Sequence, residues 1–229
     1  MIVTDRFVFL HLHKSGGTFV NEALLRFVPG ARAVGYHLPR RFVPPADQGK
    51  PVLGTVRNPW SYYVSWYAFQ AARPEPNNLF RILSDDRRLG FEPTIRNMLE
   101  LGSGGDRLEP LIAALPADYG GRGLNLPGPA LAAIRGSGLG FYSFLGRHIY
   151  GGAGEAPRLA SMETMRETLP GLMIGCGYTP SPDLERFLAD QPARNTSEHA
   201  PYTSYFSPEL RDLVAERDAG LIAAHGFSF

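Results

Sequence analysis

Cys176 is the only cysteine among 229 residues. A lone cysteine excludes an intramolecular disulfide and a multi-cysteine metal site, agrees with a reducing compartment, and reads most simply as a structural thiol. The chain also lacks a charge imbalance, since 23 lysines and arginines against 22 aspartates and glutamates leave a formal charge of +1. No broad footprint for nucleic acid or an anionic membrane follows, so any anion site must be local. No apolar run approaches the roughly 20 residues that span a bilayer. The segment from Met1 to Arg6 leads through a short apolar run into a glycine turn with no small-residue cleavage site. These absences predict a soluble, cytoplasmic protein with no membrane span and no secretory signal. With no repeat in evidence, one domain over residues 1–229 is expected.

What is present alternates between strand and helix. Phe7 to Leu12 is a short β-prone run closed by Ser15-Gly16-Gly17, and Phe19, Val20, Ala23, Leu24, Phe27 and Val28 then recur at helical spacing until Pro29-Gly30. Ala31 to Tyr36 is a weaker strand. Pro51 to Val56 is extended and apolar, placing Arg57 at a strand end, and Pro59 suits the first position of a helix continuing through Trp60 to Phe69.

Residues 71–140 are rich in proline, glycine and charge, with short helices expected near Leu79 to Leu83 and Thr94 to Leu101. Further on, Phe141 to Tyr150 suits a helix, either Pro157 to Ser161 or Leu172 to Cys176 supplies another strand, and Ser181-Pro182-Asp183 opens a helix. Ser207 and Pro208 begin a terminal helix carrying Leu210, Leu213, Val214, Leu221 and Ile222 to Gly226. The alternation predicts an α/β fold with a central parallel sheet flanked by helices. Ligands on such a sheet bind beyond the carboxyl ends of the strands, where Lys14 and Arg57 fall.

A strand that delivers His13-Lys14-Ser15-Gly16-Gly17-Thr18 to a helix start presents backbone N–H groups and the positive helix end, which suits a phosphate or sulfate. In the nucleotide-hydrolase P-loop, lysine follows the second glycine and serine or threonine follows lysine; here lysine comes first. That order resembles the 5′-phosphosulfate loop of sulfotransferases dependent on 3′-phosphoadenosine 5′-phosphosulfate (PAPS), and Phe9 to Thr18 looks especially like their carbohydrate and bacterial branch. His13 departs from it, since proline is usual there. Val52 to Pro59 followed by Val64-Ser65-Trp66-Tyr67 is similar to the family's 3′-phosphate segment, in which Arg57 forks onto the phosphate and Ser65 adds a hydroxyl. Arg158 to Met165 resembles the late strand ending in an acidic residue. Arg194-Asn195-Thr196-Ser197, Tyr202 to Tyr205 and the terminal helix also look like bacterial members.

The resemblance implies a P-loop-like sulfotransferase fold and in-line transfer of a sulfuryl group from PAPS to a hydroxyl or amino group, leaving PAP, with no metal. It implies that Lys14 stabilises the bridging oxygen, that Ser15, Gly16, Gly17 and Thr18 hold the 5′-phosphate, that Arg57 and Ser65 hold the 3′-phosphate, and that Arg194, Asn195 and Ser197 close over the nucleotide. A capping or turn role suits Asn195 and Ser197 equally. The proton of an alcohol acceptor needs a base, and Gly35-Tyr36-His37-Leu38 is similar to a base-bearing segment of hexuronic 2-O-sulfotransferases, so His37 is the candidate. His13 competes with it, and His11 reads as buried on its strand.

Trp60, Tyr63 and Trp66 read as core. The acceptor, a carbohydrate, glycolipid or other small molecule, is expected against residues 71–140 and the Arg40 to Lys50 loop. The rival readings are a non-catalytic nucleotide-binding or scaffolding protein and a P-loop-type kinase; the latter should show glycine-lysine-serine/threonine order, which is missing.

Overall fold

A computed structural model describes residues 1–120, 123–192 and 199–229. In chain order the first elements are β1 (Ile2–Val3), β2 (Val8–Leu10), α1 (Gly17–Phe27), β3 (Arg32–Ala33), β4 (Val52–Val56) and α2 (Pro59–Ala71). They are followed by α3 (Asn78–Leu83), α4 (Phe91–Leu99), α5 (Leu108–Ala114), α6 (Gly128–Leu131) and α7 (Phe141–Tyr150). The last are β5 (Arg158–Ser161), α8 (Met165–Gly175), α9 (Pro182–Asp190), α10 (Pro208–Arg217) and α11 (Ala219–His225). Among the described residues no helix is long and apolar enough to cross a membrane.

The chain divides into two compact units, Met1–Arg57 with Gly146–Thr196, and Asn58–Leu145 with Ser197–Phe229. The first holds a five-stranded sheet in the order β3-β1-β2-β4-β5. Its expected parallel centre is present: Val8 to Leu10 pair with Val52 to Gly54, and Leu53 to Val56 pair with Arg158 to Ser161. β1 was not foreseen, and it pairs antiparallel with both β2 and β3, so the sheet is mixed. Two-residue strands show no periodicity from which to read them.

Phe7 and Phe9 pack with Phe19, Val20 and Leu24 of α1, Leu169 and Met173 of α8, and Leu184 and Phe187 of α9. Each such side chain contributes roughly 1.5–3 kcal/mol on leaving water. Leu172 to Cys176, one of two candidates for the last strand, lies instead at the end of α8, because Met165, Leu169 and Met173 share one buried helical face. Arg158–Ser161 is the strand.

The carboxyl end of β4 has an additional brace. Tyr150 Oη accepts from Thr55 N at 3.1 Å and donates to Thr55 O at 2.6 Å. Gly54 makes room for that ring, since an added Cβ would lie 2.4 Å from Tyr150 Cε1. Arg57 follows two residues later.

In the second unit α2 begins on Asn58, whose side chain accepts from Ser61 N, with Pro59 at the first helical position. Trp60, Tyr63 and Trp66 are buried, as a core reading requires. Tyr62 stacks on Tyr142 at 3.8 Å between centroids. The terminal helix is two, α10 and α11, interrupted at Asp218. That carboxylate is fully buried, accepting from Tyr63 Oη at 2.7 Å and Ser143 N at 2.9 Å. Burial pushes its pKa above the ordinary value, against the opposing pull of those hydrogen bonds. Asp218 thus ties the start of α11 to α2 and to the start of α7.

Candidate anion-binding site

Because β2 and β4 are parallel neighbours, the segments leaving their carboxyl ends emerge side by side. One carries residues 11 to 16, the other Arg57. Arg57 Nη1 donates to Lys14 O at 3.2 Å, which holds a turn where Lys14 sits at φ 55°. A non-glycine residue in that left-handed region is strained by about 1 kcal/mol or more, so neighbouring contacts must maintain it. Lys14 is largely buried, and burial first, then the Arg57 charge, lowers its pKa from 10.5 to about 8. Two cations thus share a confined space, an arrangement that an anion relieves.

The helix end adds donors. Gly16 is the N-cap of α1, at φ 79°, with no side-chain cap, and the first turn contains no acidic residue. The amides of Gly17 and Thr18 precede any intrahelical acceptor and lie at the positive end of an 11-residue helix. Thr18 is partly exposed, whereas Ser15 is fully buried and its Oγ donates to His13 O at 3.1 Å.

The glycines have an internal reason as well as a ligand-side one. A Cβ on Gly17 would lie 2.0 Å from His11 Cδ2, and one on Gly16 would meet the Met165 side chain at 2.9 Å. His11 therefore packs directly over the first turn of α1. Its Nδ1 accepts from Asn21 Nδ2 at 3.2 Å, so its proton resides on Nε2. Burial, then the charges of His13 and the amino terminus, lower its pKa well below 6.5, and it is neutral near pH 7.

His37 joins the same cluster. Its Nδ1 donates to His11 O at 2.7 Å, because a carbonyl can only accept. Nε2 is therefore the nitrogen that would take a proton. His37 is 4% exposed and lies at φ 50°. Burial first, then His13 and His11, push its pKa well below 6.5, while the bond to His11 O partly opposes them. His13, which the sequence offers as a competitor for the base, stacks on His37 with centroids 3.6 Å apart and planes 16° apart.

The structure thus brings Lys14, Ser15, Gly16, Gly17, Thr18, His37 and Arg57 into one unit. Ser65 is buried on α2 in the other unit. Arg194, Asn195 and Ser197 lie outside the described residues. Glu163, the acidic residue of the late-strand resemblance, accepts from Ser161 Oγ just past β5. The sequence reading missed the support around Thr55 and Gly17, since Tyr150 and His11 reveal those contacts only in three dimensions. Among the described residues, no group of three or more His, Cys, Asp or Glu side chains could hold a metal ion.

No family model matches the chain, and no curated protein matches it. Among solved structures, mouse sulfotransferase SULT7A1 complexed with PAP is similar to it, with a TM-score of 0.48 and 14% sequence identity, over 98% of this chain and 89% of that one.

Proposed function

We propose that the protein is a PAPS-dependent sulfotransferase acting on a hydroxyl or amino group of a carbohydrate, glycolipid or other small-molecule acceptor. The observation that carries this reading is the meeting of Lys14 and Arg57 at adjoining strand ends, beside a helix start with no acidic residue in its first turn. The lysine-first loop and the Arg57-Asn58-Pro59 motif then favour a donor with phosphate on both its 5′ and 3′ sides.

The amides of Gly17 and Thr18, and the Thr18 hydroxyl, would hold the 5′-phosphate; those of Ser15 and Gly16 belong to the same cradle. Arg57 would fork onto the 3′-phosphate, with Ser65 assigned to that phosphate by the sequence motif alone. Arg194, Asn195 and Ser197 remain assigned to closure over the nucleotide on the same basis. When bound, PAPS supplies the activated sulfuryl group. Lys14 then offers an ammonium to negative charge developing on the bridging oxygen, and His37 offers Nε2 to the acceptor proton. Positioning and electrostatics thus supply the catalysis, without a covalent enzyme intermediate. Residues 71–140 and the Arg40 to Lys50 loop are assigned to the acceptor side of one sulfotransferase domain in a cytoplasmic enzyme of bacterial type.

The test is a pair of isothermal titrations, with PAP and with AMP. Arg57→Ala should weaken PAP about tenfold or more beyond its effect on AMP, the scale of a charge-assisted hydrogen bond of 1.5–3 kcal/mol, since both nucleotides share the cost of freeing the Lys14 turn. Equal weakening of both nucleotides would remove Arg57 from the 3′ side.

A further inference from the structure

Both residues to which chemistry is assigned, Lys14 and His37, occupy the left-handed region at φ 55° and φ 50°. Neither conformation is favourable for an L side chain, so each is held by what surrounds it. His13 touches both problems. It immediately precedes Lys14 in the chain, and its ring lies flat on that of His37, at 3.6 Å and 16°. The opposite end of the His37 imidazole is fixed by the Nδ1 bond to His11 O at 2.7 Å. His11 and Tyr36 complete the enclosure, with centroids 4.2 Å and 4.1 Å from His37. His13 is 8% exposed and His37 4%, so the stack is built into the fold.

A stack resists tilting of the ring out of its plane, which a single hydrogen bond at Nδ1 does not. The hydrogen bond favours the Nδ1–H tautomer only while the ring keeps the plane in which it can form, so the stack secures both the tautomer and the direction in which Nε2 points. Resting on the sulfotransferase reading, the geometry points to His13 as a positioning residue that holds the His37 imidazole in the Nδ1–H tautomer with Nε2 directed for proton acceptance. The same contact couples the turn bearing the base to the turn bearing Lys14. A proline at position 13, as the related loops usually have, could hold the backbone but could not stack a ring in this way.

The groups facing His37 are the imidazoles of His11 and His13, the Tyr36 ring, and at longer range the Met1 ammonium, which donates to Gly35 O at 2.5 Å. The charges of His13 and His11 each disfavour a proton on His37, in the same direction as its burial.

The experiment compares His13→Ala and His13→Phe with the unmodified chain. Long-range proton–nitrogen NMR of the histidine rings is recorded with and without PAP, and PAP affinity is measured in parallel. The unmodified protein should show His37 as a single Nδ1–H tautomer. His13→Ala should replace it with an averaged or mixed tautomer signal, and His13→Phe, which keeps a flat ring without ionisable nitrogens, should restore it. A fixed Nδ1–H tautomer in His13→Ala, or equal disruption in His13→Phe, overturns the positioning role. Loss of PAP binding in the unmodified chain would instead count against the sulfotransferase reading, so the two failures are separable.

Discussion

Replacing Lys14 with alanine is expected to lower kcat for sulfuryl transfer about 10²–10³-fold, the usual cost of removing a donor aimed at developing negative charge. The reason lies in the ground state of the site. Burial and Arg57 have already lowered the Lys14 pKa to about 8, so its charge is unfavourable until an anion arrives. An anionic guest raises that pKa back toward 10.5, and binding therefore takes up a proton. At pH 8.5, above the lowered pKa, Lys14 should contribute a substantial fraction of a proton per PAP, a share that falls away toward pH 6.5 where Lys14 is already charged. Calorimetric titration in buffers of different ionisation enthalpy measures it, and Lys14→Ala should abolish it. A proton count near zero at pH 8.5 in the unmodified chain, or full kcat in the variant, would remove Lys14 from its assigned role.

The sign for folding is the reverse of an ordinary ion pair. Because the folded pKa of Lys14 lies below the unfolded value, its charge disfavours folding below about pH 8, and that penalty fades as pH rises toward 10.5.

The second large effect concerns stability. Asp218→Ala should cost about 2–4 kcal/mol, since it strands a buried tyrosine hydroxyl and a buried amide, each worth about 1–3 kcal/mol when unsatisfied. Relief of the carboxylate's own burial offsets part of that loss. Urea unfolding should show a lower midpoint with unchanged m. Asp218→Asn keeps an acceptor oxygen and should lose less. The folded pKa of Asp218 is raised, so its contribution is fully present below the unfolded value of about 3.8 and declines as pH rises through the folded one. Asp218→Asn should lack that decline. A loss below about 1 kcal/mol for the alanine variant would mean that Tyr63 and Ser143 find other partners.

Asp218 also shows where sequence reading stops. The stripe from Leu210 to Ile222 suggested one helix because its periodicity is continuous, yet the chain breaks where a carboxylate finds Tyr63 and Ser143, partners far away in sequence. The loop before α1, the Arg57 strand and Phe141–Tyr150 were legible, because turn glycines, proline positions and apolar spacing are local signals. β2 proved shorter than the Phe7 to Leu12 run, since pairing with β4 ends at Leu10 and His11 turns to pack on Gly17. His13 was visible as an oddity of the loop and as a rival to His37; its stacking partner comes from a separate turn, and no pattern within either segment foretells a stacked pair.

The most direct measurement of the central claim is the melting temperature with PAP, AMP and ATP at equal concentration. At one hundred times its Kd, PAP should stabilise by about 2.7 kcal/mol, or about 5–10 °C for a chain of this size. AMP and ATP should give much smaller shifts. Equal shifts for the three nucleotides, or none with PAP, would contradict a site built for a 3′-phosphorylated adenosine donor.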